Sequence, residues 1–241
     1  MRFSNVLRYG LWLGLLATAD ANRREYKGMT TPWLPHLVLN TLILLLPDLY
    51  HLLPQPGDGR SMAEQTYRLA HDLIGAAAED NPDYAEYIAP VTIGYLLSHP
   101  RFDIYKGDLG KIRILGFGLD AIPHGLAGYT LTRLTRRTTY YAARRIGPDT
   151  WIGKLLRWGD RHPVLLTLMA LSAATTLWEG EEYAVHNYEL AQRDNDPTKI
   201  NMQWDIEDTE RDAAANIIGW ALGILAELRS KKYPMRSEPE G

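Results

Sequence analysis

The 241-residue chain contains no cysteine and only three phenylalanines. The lack of cysteine excludes disulfides, thiolate metal sites and cysteine nucleophiles, and it is compatible with an oxidising or a reducing compartment. The aromatic residues are instead mostly 14 tyrosines and 7 tryptophans. Because these side chains have an apolar body and a polar tip, they gather at membrane–water interfaces. The aromatic composition therefore favours a membrane protein.

The sequence also lacks a strong charge of either sign and the common catalytic fingerprints. The formal net charge is -3, which gives no general reason to expect nucleic acid as a partner. It contains no phosphate-binding Walker loop, no dinucleotide-binding glycine pattern and no Gly-x-Ser-x-Gly motif. Alternation of apolar and polar residues is not sustained in any segment, so the fold is predicted to be all-α.

Apolar segments of helical character recur along the chain and are separated by charged stretches. A membrane-spanning helix needs about 20 mostly apolar residues. The segments predict a polytopic membrane helical bundle of about five to six transmembrane helices, although the mean hydropathy of -0.26 leaves a helical protein outside the membrane as an alternative. We expect one helical domain over 1–232, with an amphipathic helix near 61–79 that Ser61 caps, and a loose tail at 233–241. The apolar segments are 6–20, 32–53, 84–99, 112–132, 162–187 and 209–228.

Basic residues are unevenly distributed between the two sides of such a bundle. With both termini cytoplasmic, the inner regions hold more Lys and Arg than the outer regions, and the stretch 133–145 contributes most. This bias follows the positive-inside rule and predicts a location in the inner (plasma) membrane. The basic stretch is expected to contact anionic lipid headgroups. The expected partners are therefore membrane lipids and proteins of a larger membrane complex, and not nucleic acid.

Three segments combine an apolar setting with titratable side chains at helical spacing. Residues three or four positions apart lie on one face of a helix, so each segment presents a polar stripe. In the predicted topology all three stripes reach the outer half of the bundle. The stripes are Asp120 with His124 in "FGLDAIPHGLAG", Glu179, Glu182 and His186 in "WEGEEYAVH", and Asp205, Asp208, Asp212 and Asn216 in "QWDIEDTERDAAANIIG".

Carboxylates gathered in a low dielectric are costly unless a cation neutralises them. A carboxylate-rich set with an imidazole suits zinc, manganese, magnesium or iron, and inward carboxylates with Glu-x-x-His pairs build metal centres in helical bundles. The sequence therefore predicts that a divalent metal neutralises these carboxylates. Arg113 or Arg211 is the alternative counter-ion. The predicted ligands are Asp120, His124, Glu179, Glu182, Asp208 and Asp212.

Structural roles are the alternatives for the same residues. Acidic residues are common at helix N-termini, where Asp205 or Asp208 would cap the last helix. Asp120 and His124 would form a buried hydrogen-bonded pair without a ligand. The glycines of "GLAG" at 125–128 are expected to permit close helix packing.

The order of the three stripes resembles that of the YjdF-like inner-membrane proteins, which are relatives of the VanZ-like family. The resemblance covers about residues 112–228 and implies a polytopic bacterial or archaeal membrane protein. The VanZ-like relatives also suggest a lipid or cell-wall ligand of the envelope. The matching residues are Asp120, His124 and Gly128, then Trp178, Glu179 and Glu182, then Asp208, Thr209, Asp212, Asn216 and Gly219.

Together these features predict an integral membrane protein with a carboxylate–histidine site. The site is expected to bind a divalent metal and to hydrolyse or transfer a group on a lipid-linked substrate, with Glu182 as general base. The first alternative is a non-catalytic subunit of a larger membrane complex, in which the polar cluster holds the helices together. The second is a protein that translocates protons or ions through the same acids.

Overall fold

The structure, a computed structural model, describes residues 3–25, 33–57, 61–105, 108–200 and 203–230. Within these ranges the chain forms eight α-helices and one short β-hairpin. The helices are α1 (Phe3–Glu25), α2 (Trp33–Leu52), α3 (Met62–Ile74), α4 (Tyr84–Leu96), α5 (Ala121–Arg145), α6 (Trp151–Arg161), α7 (Pro163–Gln192) and α8 (Ile206–Arg229), and the strands are β1 (Arg113–Ile114) and β2 (Phe117–Gly118).

The helical bundle is confirmed, but the prediction of transmembrane helices is wrong. Throughout the described ranges, no helix has both the length and the apolar character needed to cross a membrane. Segment 84–99 yields only the 13-residue α4. Segment 32–53 becomes α2, which contains Pro47 and carries Asp48. The localisation in an inner membrane with cytoplasmic termini stays a prediction.

The β-hairpin shortens another predicted span. Segment 112–132 begins not as a helix but as the antiparallel pair β1–β2, with Arg113 opposite Gly118. Leu115 and Gly116 form its turn with positive φ values of 54° and 88°. Turns with two such residues match the twist of a two-stranded hairpin. Helix α5 can therefore begin only at Ala121.

Helix α5 is the centre of the fold and packs against α4, α6, α7 and α8. Its closest neighbour is α8, because glycines remove the side chains at the crossing. A Cβ at Gly128 would collide with the backbone of Asn216, and a Cβ at Gly219 would collide with the backbone of Gly125. The expected role of the "GLAG" glycines in close helix packing is confirmed for Gly128, whereas a Cβ at Gly125 would make only an ordinary contact with the carbonyl of Ala215.

The basic run 133–145 is the second half of α5 and not a loop between spans. Arg136 and Arg137 are each only 2 % exposed. Arg137 pairs with the fully buried Glu227 of α8 at 3.1 Å, and Arg136 pairs with Asp160 of α6 at 2.5 Å. Buried charges need such partners because isolated charges are expensive in a low dielectric. These arginines therefore join helices and do not face lipid headgroups.

Helices α7 and α8 run antiparallel and are joined by polar links. The indole N–H of Trp220 donates to Thr167 Oγ1 at 3.0 Å, and the amide of Asn216 donates to Thr175 Oγ1 at 3.3 Å. Thr175 comes after Thr167 in α7, whereas its partner Asn216 comes before Trp220 in α8, so the two helices run in opposite directions. This arrangement brings the C-terminal half of α7 beside the first turns of α8.

Away from this centre, α1, α2 and α4 share a core around Leu15, Leu44 and Ile88. The predicted amphipathic helix is confirmed as α3, which Ser61 caps in a capping box with Glu64. A π-helical turn, Gly75–Glu79, follows it. The expected loose tail, 233–241, lies outside the described residues.

Candidate acid–base site

Three helix segments converge on one polar cluster, which contains all six residues predicted from the sequence. Helix α5 contributes its N-terminus, α7 its C-terminal half and α8 its first turns. The sequence alone placed these stripes at a common depth, and the fold brings them together. We use the name acidic cluster for Asp120, His124, Glu179, Glu182, Asp208 and Asp212.

The centre of the acidic cluster is the contact between His124 of α5 and Asp212 of α8. Their Nε2 and Oδ2 atoms are 3.3 Å apart, and the two side chains are 16 % and 8 % exposed. Burial lowers the pKa of His124, although the charges of Glu179 and Asp120 oppose this shift. The imidazole is therefore held in its neutral form at neutral pH.

Asp212 is the most strongly perturbed carboxyl group of the cluster. Burial raises the pKa of Asp212 to about 8, and the charges of other carboxylates add to the increase. Asp212 and His124 therefore both favour their neutral forms near pH 7, so their 3.3 Å contact joins a carboxyl group to an uncharged imidazole. The carboxylates that add to the shift are Asp208, Asp120, Glu179 and Glu182.

Glu182 and its neighbour Trp178 form the exposed side of the cluster on α7. The indole N–H of Trp178 donates to Oε1 of Glu182 at 2.9 Å. Burial raises the pKa of Glu182 to about 7, the charge of Glu179 adds to the increase, and the Trp178 hydrogen bond opposes it. Glu182 is therefore close to half-protonated at neutral pH.

Glu179 lies between α7 and α8 with its two oxygens in different situations. The hydroxyl of Thr209 donates to Oε2 at 2.7 Å. The other oxygen, Oε1, is buried and accepts no hydrogen bond from the described residues. A buried acceptor without a donor is costly, so Oε1 is an unsatisfied acceptor inside the cluster.

Two aspartates of the polar stripes also have structural roles. Asp120 precedes α5, and its Oδ1 accepts the backbone N–H of Ala121 at 3.0 Å. Asp205 caps α8 by accepting the backbone N–H of Asp208 at 2.9 Å. The capping alternative is therefore confirmed for Asp205. Burial raises the pKa of Asp208, and the charge of Asp120 adds to the increase.

The expected metal centre is not found. Among the residues that the structure describes, no group of three or more His, Asp and Glu side chains could hold a metal ion. The prediction of a metal-binding site is therefore wrong for the residues that the structure describes. The side chains are close enough to shift each other's pKa, but they do not converge on one point. A zinc, manganese, magnesium or iron cofactor stays a prediction.

The structure adds residues that the sequence did not single out. Burial raises the pKa of Tyr105, and the charge of Asp120 adds to the increase. The Tyr105 hydroxyl donates to the carbonyl of Gly94 at 3.0 Å, which fixes it beside the cluster. Tyr105 belongs to an irregular stretch before the hairpin, so no helical spacing linked it to the site. His186, in contrast, is turned away, since its Nδ1 accepts the backbone N–H of Trp204 at 3.2 Å.

A surface groove adjoins the cluster on the side of the hairpin. Its volume is about 420 Å³, and Phe117 of β2 lies opposite Arg211 and Ala214 of α8. Arg211 approaches Asp208 of the cluster, with 4.0 Å between Nε and Oδ1. None of the six residues of the acidic cluster lines this groove.

No protein-family model, curated protein or solved structure matches the chain. The resemblance to YjdF-like proteins therefore stays a prediction. The function has to be argued from the geometry and the electrostatics of the acidic cluster.

Proposed function

We propose that the acidic cluster is an acid–base site that hydrolyses a polar bond or transfers a group across it. Glu182 acts as general base, and the His124–Asp212 pair acts as proton donor. In such a reaction the Glu182 carboxylate takes a proton from the attacking water or hydroxyl. The His124–Asp212 pair gives a proton to the leaving oxygen.

One arrangement carries the proposal: the enclosed His124–Asp212 contact, at 3.3 Å, lies in the same cluster as Glu182, and burial raises the pKa of both Asp212 and Glu182 towards neutrality. The pKa of Glu182 is about 7 and that of Asp212 is about 8. Proton transfer is most efficient when the pKa of the catalytic group lies near the working pH. Carboxyl groups whose surroundings raise their pKa are typical of functional sites. Helix capping alone requires no such shift, because a cap works best as an ionised carboxylate.

The remaining members of the cluster support this division of roles. Glu179 raises the pKa of Glu182 through its charge, so it adjusts the base. Its Oε1 is a buried, unsatisfied acceptor, and a hydroxyl or N–H group of the substrate would satisfy it once the substrate displaces the side chains that cover it. The polar leaving group would thereby be held beside the proton donor. A substrate with hydroxyl groups near an ester, phosphoester or glycosidic bond fits these contacts.

The test is hydrolysis of nitrophenyl esters, phosphates and glycosides between about pH 5 and about pH 9. We expect Glu182→Gln to lower the rate by about 100-fold or more, without a loss of thermal stability. Glu210→Gln is the matched control, because Glu210 is exposed on α8 and should leave the rate unchanged. Equal effects of the two substitutions would contradict the assignment.

A structural role of the cluster is the second candidate, and one contact favours it. The Glu179–Thr209 hydrogen bond joins α7 to α8, which is what a protein without catalysis would also need. If this is its whole role, Glu182→Gln should change no rate, and Glu179→Gln with Thr209→Ala should lower the melting temperature. Hydrolysis that disappears in Glu182→Gln while the melting temperature holds would exclude this candidate.

A further inference from the structure

Helix α6 has an outer face that is both aromatic and basic. The residues of this face follow one another at intervals of three or four positions, so they lie within about one third of the helix circumference. The whole of α6 belongs to the described part of the chain, where four of these five side chains are exposed and Trp158 is half-buried. We use the name α6 outer face for Trp151, Lys154, Leu155, Trp158 and Arg161.

The opposite side of α6 holds the helix against the rest of the fold. Ile152 and Leu156 pack against a buried apolar cluster that includes Ala142 of α5. Asp160 is the acidic residue of α6, and it pairs on this inner side with the buried Arg136 of α5 at 2.5 Å. These contacts fix the rotation of α6 about its axis. They also leave the α6 outer face without an acidic side chain.

The exposed apolar side chains of α6 are unusual for a surface helix. Such a helix normally buries an apolar stripe and turns polar side chains outward. In α6 the apolar side chains occur on both sides, since Trp151 is 73 % exposed and Leu155 is 51 % exposed. Trp151 and Trp158 are seven positions apart, which is two helical turns, so both indoles lie in one row. An exposed row of this kind indicates a binding surface.

The α6 outer face is too small for a stable protein interface. An 11-residue helix is about 16 Å long, and one face of it offers far less than the ~800 Å² that each partner buries in an interface of standard size. A lipid surface sets no such minimum, because indole and leucine side chains enter it individually. Tryptophan in particular favours the boundary between headgroups and acyl chains, where its ring is in an apolar layer and its N–H reaches a polar one.

The charges of the α6 outer face select an anionic surface. Both of its charged side chains, Lys154 and Arg161, are basic and exposed. They are seven positions apart and therefore lie on the same edge of the face. Long basic side chains at such an edge reach phosphate groups while their neighbours enter the apolar layer. Asp149 is exposed in the turn before α6, and with it the charge of the helix face and this turn remains positive.

We propose that the α6 outer face docks the protein on a lipid surface with anionic headgroups. Helix α6 lies flat in the headgroup layer, with the two indoles and Leu155 towards the acyl chains. Lys154 and Arg161 bind the phosphate and carboxylate groups of the lipids. Docking of this kind is peripheral and requires no helix that crosses the membrane.

This docking surface is separate from the proposed acid–base site. Helix α6 packs against the second half of α5 at Arg136, whereas the acidic cluster lies at the N-terminus of α5. Roughly 20 Å of helix separates Ala121 from Arg136. Binding to vesicles and hydrolysis of dissolved esters are therefore measured independently, and the failure of one proposal leaves the other standing.

The test is co-flotation of the full chain with vesicles at about 1 mM lipid, made of phosphatidylcholine alone or with about 30 % phosphatidylserine. We expect binding to the anionic vesicles to be at least about tenfold tighter and to weaken in about 1 M salt. Trp151→Ala should weaken it about tenfold, because one exposed indole no longer enters the lipid. Tyr188→Ala is the control, since Tyr188 is a 58 % exposed aromatic residue on α7. Circular dichroism shows that each variant is folded.

A double substitution tests the contribution of charge. Each basic side chain at an anionic surface strengthens binding about fivefold, so Lys154→Gln with Arg161→Gln should bind about 25-fold more weakly. Lys111→Gln with Lys199→Gln is the matched control, because it removes the same charge from two exposed lysines outside α6. This control should bind anionic vesicles within about twofold of the wild type.

Several results would overturn the proposal. A chain that does not float with anionic vesicles at about 1 mM lipid has no such surface. Equal binding to neutral and anionic vesicles contradicts the role of Lys154 and Arg161. Binding that survives Trp151→Ala, or is lost equally in Tyr188→Ala, uses another surface. A chain that ignores vesicles but binds a single-stranded DNA oligonucleotide through α6 has nucleic acid as its partner in place of lipid.

Discussion

Nε2 of His124 on α5 lies 3.3 Å from Oδ2 of Asp212 on α8, and both side chains are almost fully enclosed. Burial disfavours the charged form of both an imidazole and a carboxyl group. Burial lowers the pKa of His124 and raises the pKa of Asp212 to about 8. The pair therefore holds a transferable proton at neutral pH, and it also makes folding depend on pH.

The first prediction concerns Asp212→Asn. Since the folded-state pKa of Asp212 lies above its unfolded value, the folded state binds the proton more tightly. The contribution of Asp212 to stability therefore falls as the pH rises from about 4 to about 8 and is constant above that. Asparagine avoids this loss because it has nearly the same shape and does not ionise. We expect Asp212→Asn to be more stable than the wild type by about 3 kcal/mol at pH 8, with little difference at pH 4.

Denaturant unfolding at several pH values measures this difference. Glu210→Gln is the control, because Glu210 lies on the exposed side of the same helix and should show no such pH dependence. A stability difference that shrinks towards high pH would contradict the raised pKa of Asp212.

The second prediction concerns the proton of Glu182. The charge of Glu179 raises the pKa of Glu182, and the Trp178 N–H lowers it. Glu179→Gln should therefore lower the pKa of Glu182, and Trp178→Phe should raise it, each by about one unit. Carboxyl carbon-13 chemical shifts followed against pH give the value directly. Shifts in the same direction for both variants would show that changes in burial, and not these two contacts, set the pKa.

Local signals in the sequence predicted parts of this fold and site well. Ser61 followed by Glu64 is sufficient to mark a helix start, because the capping box is formed within four residues. The spacing of Asp120 and His124 predicted that both lie on one helix, but Asp120 is the N-cap of α5 and only His124 lies within it. The prediction of transmembrane helices failed because it depended on contacts between residues that are far apart in the chain. Asp48 pairs with Arg8 at 2.6 Å across 40 residues, so the charge in segment 32–53 is compensated by α1.

The hairpin and Tyr105 show the same limit. Leu115 adopts a positive φ, which is uncommon for a leucine, so no local preference indicated the turn that keeps residues 112–120 of segment 112–132 out of the helix. Tyr105 reaches the acidic cluster only because the chain folds back towards α4, where the carbonyl of Gly94 accepts a hydrogen bond from the Tyr105 hydroxyl. Neither the hairpin turn nor the position of Tyr105 produces a periodic pattern of apolar and polar residues that could be recognised in the sequence.

The third prediction concerns the buried charges between α5 and α8. Glu227 is fully buried and pairs with Arg133 at 3.0 Å and with Arg137 at 3.1 Å. Glu227→Gln leaves two arginines without their carboxylate, and we expect it to lower the free energy of unfolding by about 3 kcal/mol. Glu207→Gln on the same helix should cost less than about 0.5 kcal/mol, because Glu207 is exposed in its pair with Arg211. Urea unfolding compares the two variants, and similar costs would contradict a buried pair.

The last prediction tests the close crossing of α5 and α8, on which the geometry of the acidic cluster depends. A Cβ at Gly219 would collide with the backbone of Gly125 and approach the backbone nitrogen of Tyr129, and a backbone cannot rotate away as a side chain can. Gly219→Ala should therefore lower the free energy of unfolding by about 2 kcal/mol and push the helices apart.

Gly180 on α7 is the matched control, because no atom lies within 4 Å of a Cβ placed there. Gly180→Ala should stabilise the protein by about 0.5–1 kcal/mol, since alanine is the better helix former. Opposite signs for these two substitutions in thermal unfolding would confirm the crossing. If Gly219→Ala also separates His124 from Asp212, the pKa of Asp212 should fall, and the carbon-13 titration of its carboxyl measures that fall. An unchanged pKa in a destabilised variant would mean that the pair does not depend on the crossing.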